Sequence, residues 1–353
     1  MSLLRSEIGY TDGADGSRAA RVWLFALAAL VFLMVTVGGA TRLTDSGLSI
    51  TEWKPIVGIL PPLSDADWHD AFTKYQQIPE YHRVNRGMSL EAFKFIFWWE
   101  WTHRFLGRLI GFAFAIPFVL LLATRRLPRE IVPRLIGVFA LGGLQGAIGW
   151  YMVQSGLVDR VDVSQYRLAL HLTVAVLIFG LLLWMALDLG PARTRTKPAP
   201  LSPSDRRAAG VLTGLVLLQI VLGAFVAGLK AGLSHNTWPL MDGQVIPDGL
   251  GVMSPWYLNL FENVLTVQFN HRMVAYLVAI VALWHTTSVL STCEEPAVRI
   301  SAVAISLAVL AQIAIGVCTL LAHVPLSLGL THQAGAVVVF AVSVWHLHRV
   351  LRA

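Results

Sequence analysis

The chain is poor in charge and nearly without cysteine. Asp, Glu, Lys and Arg make up 14% of its 353 residues, against about 25% in soluble domains. So few charges cannot coat a water-facing surface of this size, which excludes an ordinary soluble enzyme. The two cysteines are Cys293, near a loop, and Cys318, inside an apolar run. They exclude a disulfide framework and a thiolate metal site. The opening stretch "MSLLRSEIGYTDGADGSRAAR" carries Glu7, Asp12 and Asp15 and has no apolar core. It lacks what a signal peptide needs and is too acidic for a transit peptide. The first hydrophobic run is therefore expected to stay in the protein as a membrane span.

What the sequence has in abundance is apolar length. Hydrophobic residues make up 56% and the mean hydropathy is +0.63. A spanning helix needs about 20 mostly apolar residues. Eight such runs are expected, at 22–40, 95–123, 132–153, 167–187, 208–229, 263–290, 299–321 and 328–348. The net charge of +6 is accounted for by loop asymmetry, and no nucleic-acid partner is expected. Arg5, Arg18, Arg21, Arg125, Arg126, Arg129, Arg134, Arg193, Arg195, Lys197, Arg206, Arg207, Arg299, Arg349 and Arg352 fall on one side, fifteen of the 27 basic residues. Both termini are thus expected in the cytoplasm, with the 41–94 and 230–262 segments on the other side.

The two halves of the chain resemble each other. "GLSITEW" at 47–53 returns as "GLSHNTW" at 232–238, "THR" at 102–104 as "NHR" at 270–272, and "LQGAIG" at 144–149 as "AQIAIG" at 311–316. His171 and His332 open corresponding helices. The fold class expected is all-α: an integral membrane protein with eight transmembrane helices, arranged as two tandem, parallel-repeat four-helix bundles. The halves are 1–190 and 191–353, joined by "GPARTRTKPAPLSPSDRR".

Ionisable residues inside a membrane are costly and by default functional. Of the eleven histidines, His69 and His82 read as solvated loop residues, and His346 and His348 as lying at headgroup depth. His235 and His323, in outer loops, are weak candidates for contact with a substrate. His285 reads as a structural hydrogen-bonding residue. The other four form a pattern. His103, His171, His271 and His332 open the second, fourth, sixth and eighth spans. Each is followed four residues later by a small residue: Gly107, Ala175, Ala275 or Ala336. Residues i and i+4 share a helix face, so a flat macrocycle can lie against each helix there. Two facing imidazoles in one bundle make a bis-histidine haem site. The pairs lack the carboxylate or thiolate company of a zinc site. Four buried histidines bonded to polar neighbours are the plainer alternative. Arg104 and Arg272 follow the first histidine of each pair and suit haem propionates, or they snorkel to the surface.

The repeat breaks at one place. Glu100 stands three residues before His103, and Gln268 three before His271. A carboxyl in one half and an amide in the other suggest one catalytic site and one cofactor site. The carboxyl could move protons or stabilise developing positive charge, or simply pair with Arg104 or Arg108.

Several stretches together resemble the haem A synthase family in its proteobacterial and mitochondrial form. They are "GGATRLTDSGLSITEWKPIVGILPP" (38–62), "WWEWTHRFLGRLIGF" (98–112), "LQGAIGWYMVQSGL" (144–157), "RLALHL" (167–172), "FNHRMVAY" (269–276) and "THQAGA" (331–336). The resemblance covers nearly the whole chain. It implies an enzyme of the bacterial inner membrane that oxidises the C8 methyl of haem O to a formyl group by successive hydroxylations. The product is haem A for cytochrome c oxidase. It implies that the first half takes haem O between His103 and His171 with Glu100 beside it. The second half would hold haem b through His271 and His332, with Arg104 and Arg272 toward the haems. Haem O synthase, an electron donor of unknown identity, membrane lipid and a second copy of the chain are the implied partners. Some relatives carry a cysteine pair in outer loops, and none is present here, so thiol chemistry plays no part. Two other readings stand beside this one: a bis-histidine dihaem electron-transfer cytochrome, and a parallel-repeat transporter or haem carrier.

Overall fold

The computed structural model describes residues 4–54, 57–158, 160–190 and 201–353, with only the backbone of 4–16 and 57. Arg193, Arg195 and Lys197 lie outside the described residues, as do the side chains of Arg5, Glu7, Asp12 and Asp15.

The described residues form helices and connections, with a lone bridge between Met241 and Gln244. The helices are α1 (Leu4–Leu43), α2 (Asp65–Tyr75), α3 (Pro79–Arg83), α4 (Leu90–Ala123), α5 (Val132–Leu157), α6 (Gln165–Asp188), α7 (Pro203–Gly228), α8 (Val264–Thr292), α9 (Pro296–Leu321) and α10 (Leu326–Arg352). All except α2 and α3 contain a stretch long and apolar enough to cross a membrane, eight in all, the first running Ser17–Leu43. All eight expected spans are therefore present.

Most boundaries agree within a few residues, and local chemistry sets them. Proline stands in the first turn of α5, α7 and α9, where its missing N–H costs nothing. Ser202 and Asn263 accept backbone N–H groups at the starts of α7 and α8. The larger differences are at three starts: α1 begins at Leu4, well before 22, α7 at Pro203 and not near 208, and α4 at Leu90 and not near 95. Ser89 caps it by accepting the Ala92 N–H, and buried Phe93 anchors the extra turn.

That extra turn belongs to a cap at the end of the bundle from which the 41–94 segment projects, called here the loop end. Within it α2 starts on a reciprocal capping box between Ser64 and Asp67. Trp68 and Tyr75 of α2 bury against Phe93, Ile96 and Phe97 of α4. His69 and His82 are exposed there, as expected.

Spans α1, α4, α5 and α6 pack around one another, and so do α7, α8, α9 and α10. The two groups meet through α1 with α10, α6 with α7, and α6 with α10. One apolar core runs through both and includes Leu24, Leu27, Leu182, Leu212, Ile305 and Phe340. The groups differ in one respect: α8 and α9 pack closely, whereas α4 and α5 touch over little of their length.

Candidate functional site

His171, His271 and His332 fall in the second turn of α6, α8 and α10. His103 lies further along α4 because α4 starts early in the cap. The rings of His271 and His332 face each other with centroids 6.4 Å apart. Two metal–imidazole bonds of about 2 Å, with the ring radii beyond them, come to roughly 6 Å. His103 lies within electrostatic reach of His171.

Each ring rests on a glycine of a neighbouring helix. A Cβ added at Gly38 on α1 would stand 2.8 Å from the ring of His103, and one at Gly149 on α5 would stand 3.0 Å from His171. The distances are 3.1 Å from Gly223 on α7 to His271 and 2.7 Å from Gly316 on α9 to His332. No residue larger than glycine fits at any of the four without displacing an imidazole. Sequence reasoning found the small residue on each histidine's own helix and missed this second set. The signal was present: Gly38 and Gly223 are 185 positions apart, and Gly149 and Gly316 are 167 apart, the same offsets as the quoted motifs.

Three glutamines were also missed. The Gln145 amide nitrogen donates to the His171 carbonyl at 2.9 Å and lies 3.1 Å from its Nδ1. Gln219 does the same at His271, at 2.9 and 3.1 Å. Gln312 does so at His332, at 2.7 and 3.1 Å. The Oε1 atoms of all three are buried without a partner. An imidazole that binds metal through Nε2 carries its proton on Nδ1 and needs an acceptor there. At three of the rings the group nearest Nδ1 is instead an amide nitrogen, and the amide oxygens face no donor. The 6.4 Å spacing of His271 and His332, with a glycine under each ring, fits a bis-histidine macrocycle. Among the described residues no cluster of three or more His, Cys, Asp or Glu could hold a bare metal ion.

Glu100 is 2% exposed and fully engaged. One carboxylate oxygen accepts the Ser49 hydroxyl at 2.8 Å and the Ile50 N–H at 2.7 Å. The other accepts Arg104 Nη2 at 2.7 Å and Nε at 3.1 Å. Arg104 also donates to the carbonyls of Ile50 and Glu52. The second half has the same design with the polarity reversed. Gln268 donates its amide to the carbonyls of Ala231 and Ser234. Arg272 donates to Gln268 Oε1 and to the carbonyls of His235 and Thr237. The carboxyl-for-amide exchange thus matches what each loop offers: donors at 49–50, carbonyls at 231–234. Both arginines fasten the loop to the helix beside the first histidine.

A second buried carboxyl lies in the cap. Glu80 of α3 is 4% exposed and its Oε2 has no partner. Burial, reinforced by the negative charges of Glu100, Asp45 and Asp162 and eased by Lys230, pushes it up to about 8. Nothing in the sequence set it apart from the other acids of 41–94.

The remaining histidines are placed as follows. His235 is bonded through Nδ1 to Asp242, and His323 is exposed in the turn after α9. His285, 0% exposed, joins His346 through Nε2···Nε2 at 2.8 Å. His346 Nδ1 lies 2.9 Å from Ser301 Oγ. His285 thus has the hydrogen-bonding role expected of it. His346 and His348, near the end of α10, are 1% and 8% exposed. Neighbouring spans cover them, and His348 Nε2 meets Asp188 of α6 at 3.1 Å. The His285 and His346 ring centroids are 5.0 Å apart, too close to admit an iron.

Fold and site together define a class: an all-helical, multi-pass membrane protein with paired, glycine-bedded histidines near one end of its helices. The family is more specific. Residues 21–344 match the family described as cytochrome oxidase assembly protein, and the chain belongs to that family. A protein of Parvibaculum lavamentivorans named "Heme A synthase" is 56% identical over 330 residues, 94% of either chain. One of the same name from a Chelativorans species is 53% identical, covering 96% of this chain and 94% of its own. Another, from Rhizobium meliloti, is 50% identical, covering 97% and 93%.

Proposed function

We infer that this protein is a haem A synthase, a membrane oxidoreductase that converts the C8 methyl of haem O to the formyl group of haem A. The observation that carries the reading is near-full-length identity to enzymes of that name, joined to two histidine pairs that fit haem. His103 and His171 of the first half, residues 1–190, would take haem O as substrate. His271 and His332 of the second half, residues 191–353, would hold haem b. A resident haem b supplies one-electron transfer when bound. The rest is the work of this chain's residues.

Gly223 and Gly316 let the imidazoles of the second half stand at ligand spacing. Gln219 and Gln312 each donate to the backbone carbonyl of the histidine and hold the neighbouring helix against its ring. Glu100, through its bonds to Ser49, Ile50 and Arg104, holds the 49–52 loop over His103 and keeps a buried negative charge one turn away. That charge favours positive charge developing on the substrate. The aromatic cap of α2 and α4, around Trp68 and Phe97, screens this end from water. Glu80 of the cap, buried with an unpartnered Oε2, is a candidate proton carrier at this end. The loop end is assigned to the outer face of the bacterial inner membrane, with both termini in the cytoplasm, by the distribution of basic residues. The electron donor, haem O synthase and a second copy of the chain are partners that this reading calls for.

A dihaem electron-transfer cytochrome would need no large cap on one half alone. The test is direct. The chain is expressed in a bacterial membrane that makes haem O and not haem A, and extracted pigments are examined by mass spectrometry. A formyl or hydroxymethyl derivative of haem O is expected. Unchanged haem O, with a reductant supplied, overturns the reading.

A further inference from the structure

Three carboxyls are buried among the described residues: Glu80, Glu100 and Asp205. Two of them are satisfied. Glu100 is held by Ser49, Ile50 and Arg104, and Asp205 accepts the hydroxyls of Ser202 and Ser288. Glu80 differs: it is 4% exposed and its Oε2 has no partner. A buried carboxylate without such partners is costly, so the group is held in its neutral, protonated form. Burial first, then the negative charges of Glu100, Asp45 and Asp162, push it up to about 8, against the opposing pull of Lys230.

Glu80 faces two kinds of neighbour. Glu100 of α4, three residues before His103, is within electrostatic reach. So is the cluster of Asp45, Asp162 and Lys230, whose side chains are partly exposed to water. Tyr75 of α2, itself 0% exposed, is in reach of both Glu80 and Glu100. Helix α5, on which α3 packs, carries Tyr151 toward this end, and α3 itself carries His82 and Arg83. The second half has no such group. The acids of its 230–262 connection are Asp242, Asp248 and Glu262. None is buried, and they are bonded to His235, Gln244 and Tyr166 respectively.

The chemistry read for the two halves differs in the same way. A resident haem b that passes electrons needs no proton carrier. Hydroxylation of a methyl group does. With dioxygen as oxidant, each round takes two electrons from the donor and two protons. A C–H bond becomes C–O–H with one oxygen atom, and the other leaves as water with the two protons. A second round gives the gem-diol, which loses water to form the formyl group. Protons must therefore enter a site that the aromatic cap screens from water.

We propose that Glu80 is the proton-transfer carboxyl of the cap, carrying protons from water at the loop end toward the first-half site. This rests on the reading of the first half as the haem O site, and adds the residue that supplies the protons. After each delivery Glu80 is a buried carboxylate with an unpartnered oxygen. The cost of that state drives it to take up the next proton.

The test uses the full chain in membranes that supply haem O and a reductant. Oxidised haem is followed by mass spectrometry from about pH 6 to about pH 10. In wild type the rate is expected to fall as pH rises through about 8, where Glu80 loses its proton. Glu80→Gln carries no exchangeable acid. It is expected to be slower by about 100-fold and to lack that alkaline limb. Glu80→Asp keeps a carboxyl on a shorter stem and should retain most of the rate, with the limb moved. A second readout needs no turnover. Infrared spectra of the purified chain should show a protonated carboxyl band that titrates at about 8 and is absent from Glu80→Gln.

A wild-type rate and pH profile in Glu80→Gln overturn the proposal, as does an infrared band that survives the substitution. If that variant lacks haem b and so has not folded, Glu80→Asp decides: an alkaline limb at the wild-type pH overturns it. Failure of the underlying reading looks different. Wild type then leaves haem O unchanged at every pH while the Glu80 infrared band is present, and the proposal falls with the reading.

Discussion

Lys230 Nζ lies 3.1 Å from Asp45 Oδ1, and the two residues occupy the same place in the two halves, 185 positions apart. Arg42 Nη2 donates to the carbonyl of Ala227, again 185 positions away. Equivalent residues of a repeat can touch only near the axis that relates them. The contacts therefore bring matching points of the repeated motifs together at the loop end. Lys230 also meets Asp162 at 3.0 Å, so one cation of the second half is held by two acids of the first.

This contact predicts a charge-swap result. Asp45→Lys sets two lysines together and is expected to lower stability, and Lys230→Asp gathers three acids to the same effect. The double exchange restores most of the loss. Both groups are partly exposed, so the coupling is expected at about 0.2–1 kcal/mol. A double-mutant cycle on thermal unfolding in detergent measures it, and coupling indistinguishable from zero refutes a contact between the halves here.

The glycines beneath the imidazoles predict selective loss of cofactor. Gly316→Val and Gly223→Val place atoms within about 3 Å of the His332 and His271 rings. Haem b content, read from the absorbance of the purified protein, is expected to fall several-fold in either variant. Gly38→Val and Gly149→Val press on the first-half rings and should leave haem b in place while abolishing turnover of haem O.

Glu100→Ala is expected to abolish formyl-haem formation while haem b at His271 and His332 survives. It also strips Arg104 of its carboxylate. Breaking a buried pair by removing one partner costs about 3–5 kcal/mol, so the 49–52 loop should loosen as well. Pigment extraction separates the two haems, and hydrogen exchange at Ile50 reports the loop. Normal haem A output from this variant removes Glu100 from the chemistry.

Glu80 predicts a pH dependence of the cap. Its folded value, about 8, lies above the ordinary value of 4.5. Between those limits the folded cap binds a proton that the unfolded chain has released. Stability therefore falls as pH rises from about 4.5 to about 8. Glu80→Gln should remove that slope and leave the cap as stable at pH 8 as at pH 6. Limited proteolysis within 65–85 across this range is the measurement, and a slope equal to wild type excludes Glu80 as its source.

Much of this architecture was legible in the residues. Apolar runs of about 20 residues have one fate in a membrane, because a backbone in lipid must satisfy its own hydrogen bonds. All eight spans followed from that. The four histidines were legible because ionisable groups in apolar runs are rare, and their recurrence at matching offsets singled them out. Gln145 and Gln312 lay inside motifs already quoted, but an amide in an apolar helix does not say which ring it reaches.

The sequence by itself determined the number of spans, which depends on composition and run length along the chain; spacing suggested the repeat and the histidine candidates, and the resemblance of whole motifs gave the family. Tertiary structure decided everything that rests on contact between distant segments. It placed glycines from α1, α5, α7 and α9 beneath rings carried by other helices. It buried His346 against His285, because neighbouring helices and not distance from the chain end set exposure. It brought Glu80 and Glu100 into one cap, where the loss of water raises the cost of each charge and makes a carboxyl's neighbours matter more than its type.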